Sequence, residues 1–138
     1  MLEKIVIEKK DLLWLSGLLE GDGCFRICHS NKRSPKPSIF IELIDKDTID
    51  KVSRLFISKT CEKPPDKNNP HHQKTYYTIA TSNKAIVIMK MLLPFMGERR
   101  GEKIVSIIKD YNTRLEKNYS KDETIKVLNE KKDWIIKR

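Results

Sequence analysis

Cysteine is scarce in this chain, and its scarcity excludes a scaffold held together by disulfide bonds. Only three cysteines occur among the 138 residues, Cys24, Cys28 and Cys61. A small, odd number is typical of proteins in a reducing compartment, whereas small secreted domains pair their cysteines. We therefore expect an intracellular location, either the cytoplasm or an organelle.

A zinc site is also disfavoured, although His71 and His72 offer two further ligands of the right kind. Cys24 and Cys28 fall in an expected β-strand, where four residues span roughly 13 Å. One tetrahedral zinc ion, with bonds of about 2.3 Å to sulfur, cannot bind both thiols. The sequence thus gives little support for a zinc centre.

Long apolar runs are missing as well. The longest, residues 85–96, is interrupted by Lys90 and Pro94, so it falls short of the roughly 20 apolar residues of a membrane-spanning helix. No apolar core follows Met1 to Lys4, so we expect no signal peptide. No internal repeat is evident, and we expect residues 1–138 to form one domain with a hydrophobic core.

Positive charge, by contrast, is abundant. The chain has 28 lysines and arginines against 19 acidic residues, which gives a net charge of +9. Such an excess favours an anionic partner, with nucleic acid first. The basic residues are spread along the chain rather than gathered in one tail. We therefore expect a basic face on a folded domain and not a disordered basic arm.

Residues 9–21 carry the apolar spacing of an amphipathic helix. Within it, Gly17 and Gly21 are four residues apart and share one face. Glycine inside a helix costs about 1 kcal/mol relative to alanine, so two glycines on one face beside Ser16 indicate that another backbone comes close there. The alternative is a helix that simply ends in a Gly-Asp-Gly turn, with glycine as its C-cap.

Asp22 stands at the expected C-terminal end of this helix, where the helix dipole disfavours a carboxylate by roughly 0.3–1 kcal/mol. A cation beside the carboxylate would account for its position. Oxygen ligands suit Mg²⁺, which keeps several waters and takes oxygens from substrate phosphates, so Asp22 is the candidate metal ligand. Glu20 lies about 200° from Asp22 around the helix, and we assign it a structural role.

The same segment resembles the signature motif of the LAGLIDADG homing endonucleases. Residues 14–23 read Trp-Leu-Ser-Gly-Leu-Leu-Glu-Gly-Asp-Gly. The residues identical to the motif are Leu15, Gly17, Leu18, Asp22 and Gly23, and those that replace motif residues in a tolerated way are Ser16, Leu19, Glu20 and Gly21. The resemblance extends over nearly the whole chain in element order, but only this motif is specific.

The resemblance implies an intron-encoded type of enzyme, a double-strand DNA endonuclease that hydrolyses phosphodiester bonds with Mg²⁺. Family members of this length with one motif are homodimers, so their target sites are long and nearly palindromic. Asp22 and the carbonyl of Gly21 would hold the metal ion. The helix of each copy would meet its partner through Trp14, Gly17, Leu18 and Gly21.

Two further catalytic positions follow from the resemblance. Residues 93–99 resemble the segment that carries the family's basic active-site residue, usually a lysine. Arg99 is the candidate here, with Arg100 and Lys103 as alternatives. Where many relatives have a glutamine that orients water, this chain offers Asp45, which could hold water in the same way or simply cap the helix that follows.

The rest of the pattern predicts an α+β domain with the element order αββαββα followed by further helices. Strands are expected at residues 24–32, in a return segment to Leu43 after a turn at residues 34–37, at residues 61–63 and at residues 74–81. Helices are expected to begin at Asp47 or Thr48, at Ser82 or Asn83, near Gly97, and at a capping box at residues 120–123, the last running past Trp134. This is the layout of the LAGLIDADG fold, a saddle-shaped antiparallel sheet with helices on one face.

The other face of such a sheet is free, and a β-ribbon of this width fits the major groove of DNA. Strand alternation places Tyr77 and Ile79 inward. The candidate DNA-binding residues, on or beside the free face, are Arg26, Cys28, Ser30, Lys32, Arg33, Lys36, Ser38, Phe40, Glu42, Lys63, Lys74, Tyr76 and Thr78. Phe40 is the awkward member, which a thymine methyl group or a different strand register would explain. An ordinary solvated sheet face is the alternative for any one of them.

Three other functions compete with this hypothesis. An RNA-binding intron maturase would have the same fold and could keep Asp22 without depending on cleavage. A DNA-binding regulator that has lost catalysis is a second alternative, although the intact Gly21-Asp22-Gly23 argues against it. A small structural or interaction protein is the third. Cleavage of duplex DNA that requires Mg²⁺ would separate the endonuclease from all three.

Overall fold

The computed structural model describes residues 4–30, 33–69, 71, 73–118 and 134–138. The strands are β1 (Ile5–Glu8), β2 (Cys24–Ser30), β3 (Arg33–Leu43), β4 (Cys61–Lys63), β5 (Thr75–Thr81) and β6 (Trp134–Lys137). The helices are α1 (Lys9–Asp22), α2 (Lys46–Phe56), α3 (Ser82–Leu92) and α4 (Glu98–Asn118), with a single 3₁₀ turn at Leu93–Phe95 between the last two.

Four strands form an antiparallel sheet in the order β2-β3-β5-β4, and helices α1, α2 and α3 pack against one face of it. The side chains of Leu15, Leu19, Ile39, Ile41 and Phe56 are fully buried in the core. They recur at helical spacing in the helices and at every second residue in β3, so each element turns one apolar side to the same core. The predicted α+β fold, with helices on one face of an antiparallel sheet, is confirmed.

Strand β5 has the opposite phase to the one predicted. Thr78 and Ala80 pair with inward residues of β3 and are fully buried, and Tyr76 lies on the same side. Tyr77 and Ile79 therefore lie on the outer face. The helix α2 packs closely on β5, and the small side chains of Thr78 and Ala80 allow that approach. The prediction that Tyr76 and Thr78 face outward is wrong for this reason.

The turn predicted at residues 34–37 is also wrong, because these residues belong to β3. The first part of β3 pairs only with β2, since the pairing with β5 begins at Ser38. Proline lacks a backbone N–H and is tolerated where a strand has a neighbour on one side only. Pro35 and Pro37 therefore fit in this half-paired part of the strand, which begins at Arg33.

The two end strands were not predicted. β1 and β6 pair in parallel as a separate two-stranded sheet, with Ile5 opposite Trp134. The prediction of helix at Trp134 is therefore wrong, whereas the predicted capping box at residues 120–123 lies outside the described residues. Among the helices that the structure describes, none combines the length and the apolar composition needed to cross a membrane.

The inward position of Thr78 gives a prediction for stability. Its hydroxyl is buried and has no hydrogen-bond partner in the part of the chain that the structure describes. Because an unsatisfied buried hydroxyl is costly, Thr78→Val should raise the free energy of unfolding by about 1–2 kcal/mol in urea titrations. Thr81→Val, an exposed change in the same strand, is the control. A destabilised Thr78→Val variant would contradict the inward assignment.

Candidate catalytic centre and nucleic-acid interface

Helix α1 has one buried side and one open side. Leu12, Leu15, Ser16 and Leu19 are buried in the core. On the open side, Gly17 and Gly21 are exposed, and a Cβ atom added at either would meet no atom within 4 Å. This side therefore offers bare backbone to any approaching surface.

The side chains beside Gly17 and Gly21 on α1 differ in how exposed they are. Leu13, which lies one turn before Gly17, has 46% of its surface exposed, and the sequence analysis missed it. Leu13 is four residues before Gly17, and this spacing could have indicated that both lie on the same face of the helix. Trp14 and Leu18 are half-buried against the core. The Lys51 ammonium lies 4.1 Å from the centroid of the Trp14 ring, so Trp14 stands at the margin of the open side.

The C-terminal end of α1 turns sharply into β2. The Gly23 N–H donates to the Leu19 carbonyl at 3.0 Å. A Cβ at Gly23 would lie 2.7 Å from Leu19 Cδ2 and 2.8 Å from the Leu19 carbonyl oxygen, so only glycine fits at this position. The turn leaves the Asp22 side chain exposed, and within the described part of the chain it has no hydrogen-bond or ion-pair partner.

Glu20 points to a different neighbour. Its carboxylate accepts a hydrogen bond of 3.1 Å from the Gly97 N–H, immediately before α4 begins. A carboxylate stabilises a helix N-terminus, where backbone N–H groups are unpaired. Glu20 thus links the end of α1 to the start of α4, and its structural role is confirmed.

Three basic residues of α4 lie beside this end of α1. Arg99, Arg100 and Lys103 line a hollow of about 300 Å³. The Arg100 guanidinium donates a hydrogen bond to the carbonyl of Gly23, the residue that follows Asp22. The side chains of Arg99 and Lys103 are exposed. The sequence left these three as alternatives for one role. The structure brings all three together. Among the described residues, only Arg100 of the three donates a side-chain hydrogen bond to the backbone, at the Gly23 carbonyl.

Asp45 is the N-cap of α2. Its carboxylate accepts a bond of 3.1 Å from the Asp47 N–H and another of 3.1 Å from the Thr48 hydroxyl. Cys24, which follows the α1 turn, pairs with Phe40 of β3. Asp45 is five positions after Phe40, a distance on the order of 15 Å along nearly extended chain. The structure thus shows the capping role that the sequence offered as an alternative, and among the described residues Asp45 makes no hydrogen bond or ion pair with the end of α1.

The end of α1 offers the right type of donor atom for a hard cation, but too few of them. Asp22 and the backbone carbonyl of Gly21 supply oxygen, the donor that Mg²⁺ and Ca²⁺ prefer. However, no group of three or more histidine, cysteine, aspartate or glutamate side chains converges in a metal site anywhere in the described residues. The described residues of one chain therefore do not supply a complete set of metal ligands around Asp22.

The outer face of the sheet carries most of the predicted DNA-binding residues. Its outward side chains from the predicted set are Arg26, Cys28, Lys36, Ser38, Phe40, Glu42 and Lys63. Ser38 is fully buried and its hydroxyl lies 3.2 Å from the Cys28 thiol, so it is covered rather than free for contact. Lys74 precedes β5 and forms an ion pair with Glu62 at 2.8 Å. Lys32 and the side chains of Ser30 and Arg33 lie outside what the structure describes.

Tyr77 and Ile79 complete this outer face, although the sequence analysis placed them inward. They line a shallow hollow of about 550 Å³ in the middle of the face. The other lining residues are Arg26, Phe40, Glu42, Glu62, Lys63 and Pro64. The run of small residues at positions 78 and 80 was the signal that could have corrected the phase.

The chain has the fold of solved homing endonucleases. I-CvuI, in complex with the I-CreI target DNA, superimposes with a TM-score of 0.52 and 15% identity over 90% of this chain and 85% of that one. The archaeal intron-encoded I-Vdi141I, complexed with DNA, gives 0.53 and 13% over 87% and 95%. The LAGLIDADG meganuclease I-AabMI, bound to uncleaved DNA, gives 0.53 and 15%, and this chain spans 50% of its length.

Sequence comparison alone finds less. No protein-family model matches the chain, and no curated protein matches its sequence. The identities to the solved structures are low, so the likeness shows a shared fold.

The turn after α1 gives a second prediction. Gly23→Ala should lower the free energy of unfolding by about 1–3 kcal/mol, because the new methyl group overlaps the Leu19 backbone. Gly101→Ala in α4 is the matched control, since its Cβ would lie 3.7 Å from Leu93 Cδ1 in ordinary contact. That variant should keep or raise stability by up to about 1 kcal/mol. Equal effects of both changes in thermal and urea unfolding would count against the close turn.

Proposed function

We propose that this chain is a LAGLIDADG homing endonuclease that acts as a homodimer and cuts both strands of a long, nearly palindromic DNA site. The observation that carries the proposal is the open end of α1. There Asp22 is exposed and has no hydrogen-bond or ion-pair partner among the described residues, and it follows the bare backbone at Gly17 and Gly21. The shared fold and the net charge of +9 support DNA as the partner.

A second copy of the chain would complete the site. If two α1 helices pack through Leu13, Gly17 and Gly21, the absence of side chains at the glycines lets the backbones approach closely. The two-fold axis would then bring one Asp22 from each copy to the centre. Two carboxylates, two Gly21 carbonyls and the phosphate oxygens of the DNA would supply the oxygen ligands that one copy lacks.

Mg²⁺ bound there would activate water and stabilise the leaving oxygen of the phosphodiester. Asp22 and the Gly21 carbonyl would hold the ion. Arg99 and Lys103, which have exposed side chains in the basic hollow, would bind the phosphate and offset its charge. Arg100 would position the turn through its bond to the Gly23 carbonyl.

The experiment is a cleavage assay on a randomised DNA library with Mg²⁺, beside an identical assay with Ca²⁺. Selective cutting of nearly palindromic sites with Mg²⁺ is the expected result. Binding to DNA without cutting would favour the regulator, and tight binding to intron RNA instead of DNA would favour the maturase. Either outcome would overturn the proposal.

The selected site then allows a test of Asp22. Asp22→Asn should lower the cleavage rate by about 100-fold or more while DNA binding is kept, because it removes a metal-binding charge from an exposed side chain. Asp45→Asn is the matched control. Asparagine caps a helix as well as aspartate, so this variant should cut and unfold like the unmodified protein. Full activity of Asp22→Asn, or loss of activity only in Asp45→Asn, would contradict the assignment of Asp22 as the metal ligand.

The dimer has its own test. Gly17→Leu should give monomers in sedimentation experiments, since the added side chain fills the space where the second helix would lie. Ser106→Leu, which adds the same bulk at an exposed position of α4, should leave the dimer intact. An unchanged dimer with Gly17→Leu would place the interface elsewhere.

A further inference from the structure

The middle of the outer sheet face is apolar, in a surface that is otherwise polar and charged. Phe40 of β3 lies directly between Cys24 of β2 and Ile79 of β5 in the strand register. Its ring centroid is 5.7 Å from that of Tyr77. Phe40, Tyr77 and Ile79, which we call the aromatic cluster, together form the floor of the 550 Å³ hollow. These three half-buried side chains offer a small apolar contact surface in the middle of the face.

The floor is held in place by its neighbours. The Arg26 guanidinium lies 5.0 Å from the centroid of the Phe40 ring, a distance at which cation and ring attract. Tyr77 meets the same ring at an interplanar angle of 36°. With contacts from two strands, Phe40 has little freedom to turn away. The aromatic cluster is therefore a prepared surface and not a set of loose side chains.

The charges around the hollow suit an anionic partner. Its two acids are already committed: Glu42 lies 3.7 Å from Lys63 and accepts a bond from Thr75, and Glu62 pairs with a lysine at 2.8 Å. Arg26 has no carboxylate partner among the described residues. The rim is thus neutral or positive. Such a rim is compatible with the negatively charged DNA backbone, which an acidic rim would repel.

We infer that the aromatic cluster binds the 5-methyl group of a pyrimidine in the major groove and so selects thymine at one position of each half-site. The inference rests on the proposed function, since it requires DNA on the outer face. The methyl group of thymine is the one apolar group that the four standard bases present in the major groove. A hollow with an apolar floor and a neutral or positive rim matches that group and the phosphates beside it.

The test is a scan of the selected DNA site in which each thymine is replaced, one at a time, by uracil. This change removes only the methyl group and keeps every hydrogen-bonding atom. Binding is measured by titration in Ca²⁺ with the unmodified protein. At one symmetry-related pair of positions, a single replacement should weaken binding about 3- to 5-fold, as expected for loss of one buried methyl group. Penalties below about 1.5-fold at every thymine would overturn the inference.

A second set of DNA sites tests whether the protein recognises the methyl group itself, independently of the pyrimidine that carries it. At the sensitive position, the T·A pair is exchanged for C·G, with and without a 5-methyl group on the cytosine. Methylation should recover about 3- to 5-fold in affinity if the cluster recognises the methyl group itself. No recovery would overturn recognition of the methyl group by the protein.

Variants locate the contact on the protein. Phe40→Ala and, independently, Ile79→Ala should each reduce the uracil penalty to near 1-fold, whereas Lys36→Gln on the same face should weaken binding equally to both DNAs. An unchanged penalty in both apolar variants would overturn the assignment to the cluster. A protein that neither binds nor cuts any DNA would refute the proposed function instead, whereas a sequence-specific nuclease without a uracil penalty would refute only this inference.

Discussion

Everything at the candidate site depends on how closely the chain turns at the end of α1. The Gly23 N–H bonds to the Leu19 carbonyl, and no side chain fits at Gly23. β2 begins at the next residue, so the direction of its outer face is set by the same turn that exposes Asp22. Glu20 and Arg100 add bonds to the start of α4. The bare helix side, the free acid and the outer sheet face are thus fixed relative to one another within a few residues.

Four of the acids described above have a structural task, whereas Asp22 has no hydrogen-bond or ion-pair partner among the described residues. Glu20 binds a helix N-terminus, Asp45 caps α2, and Glu42 and Glu62 pair with lysines. Asp22 alone among these stands unpartnered, and it does so at a helix C-terminus, where the dipole is unfavourable. The residue after it, Gly23, accepts a bond from Arg100, which lines the basic hollow of α4. A carboxylate in such a place contributes nothing visible to the fold of one copy, which is why a ligand explains it better than stability does.

Local pattern was enough for α1, for the phase of β2 and β3 and for the α+β layout, because each has a clear period of 3.6 or 2. It failed at β5, where every residue from Tyr76 to Ala80 has an apolar part and only the close packing of α2 decides which side is inward. It failed again for β1 and β6, whose pairing joins Ile5 to Trp134 across almost the whole chain. For the candidate site, the motif predicted Asp22 and both glycines, which the structure leaves exposed, whereas the capping role of Asp45 and the grouping of the basic residues required coordinates.

The proposed catalytic centre and the proposed base-reading surface lie in parts of this fold that tolerate change to different degrees. At the end of α1, a single added carbon at Gly23 meets backbone atoms, so there is little freedom. On the outer face, Phe40 contacts Tyr77 and Arg26, and the buried core lies on the opposite side of the sheet. Under the proposed function, substitutions there would change the contacted base while the core and the turn stay as they are. Such a nuclease would acquire new target sites without first losing the geometry around Asp22.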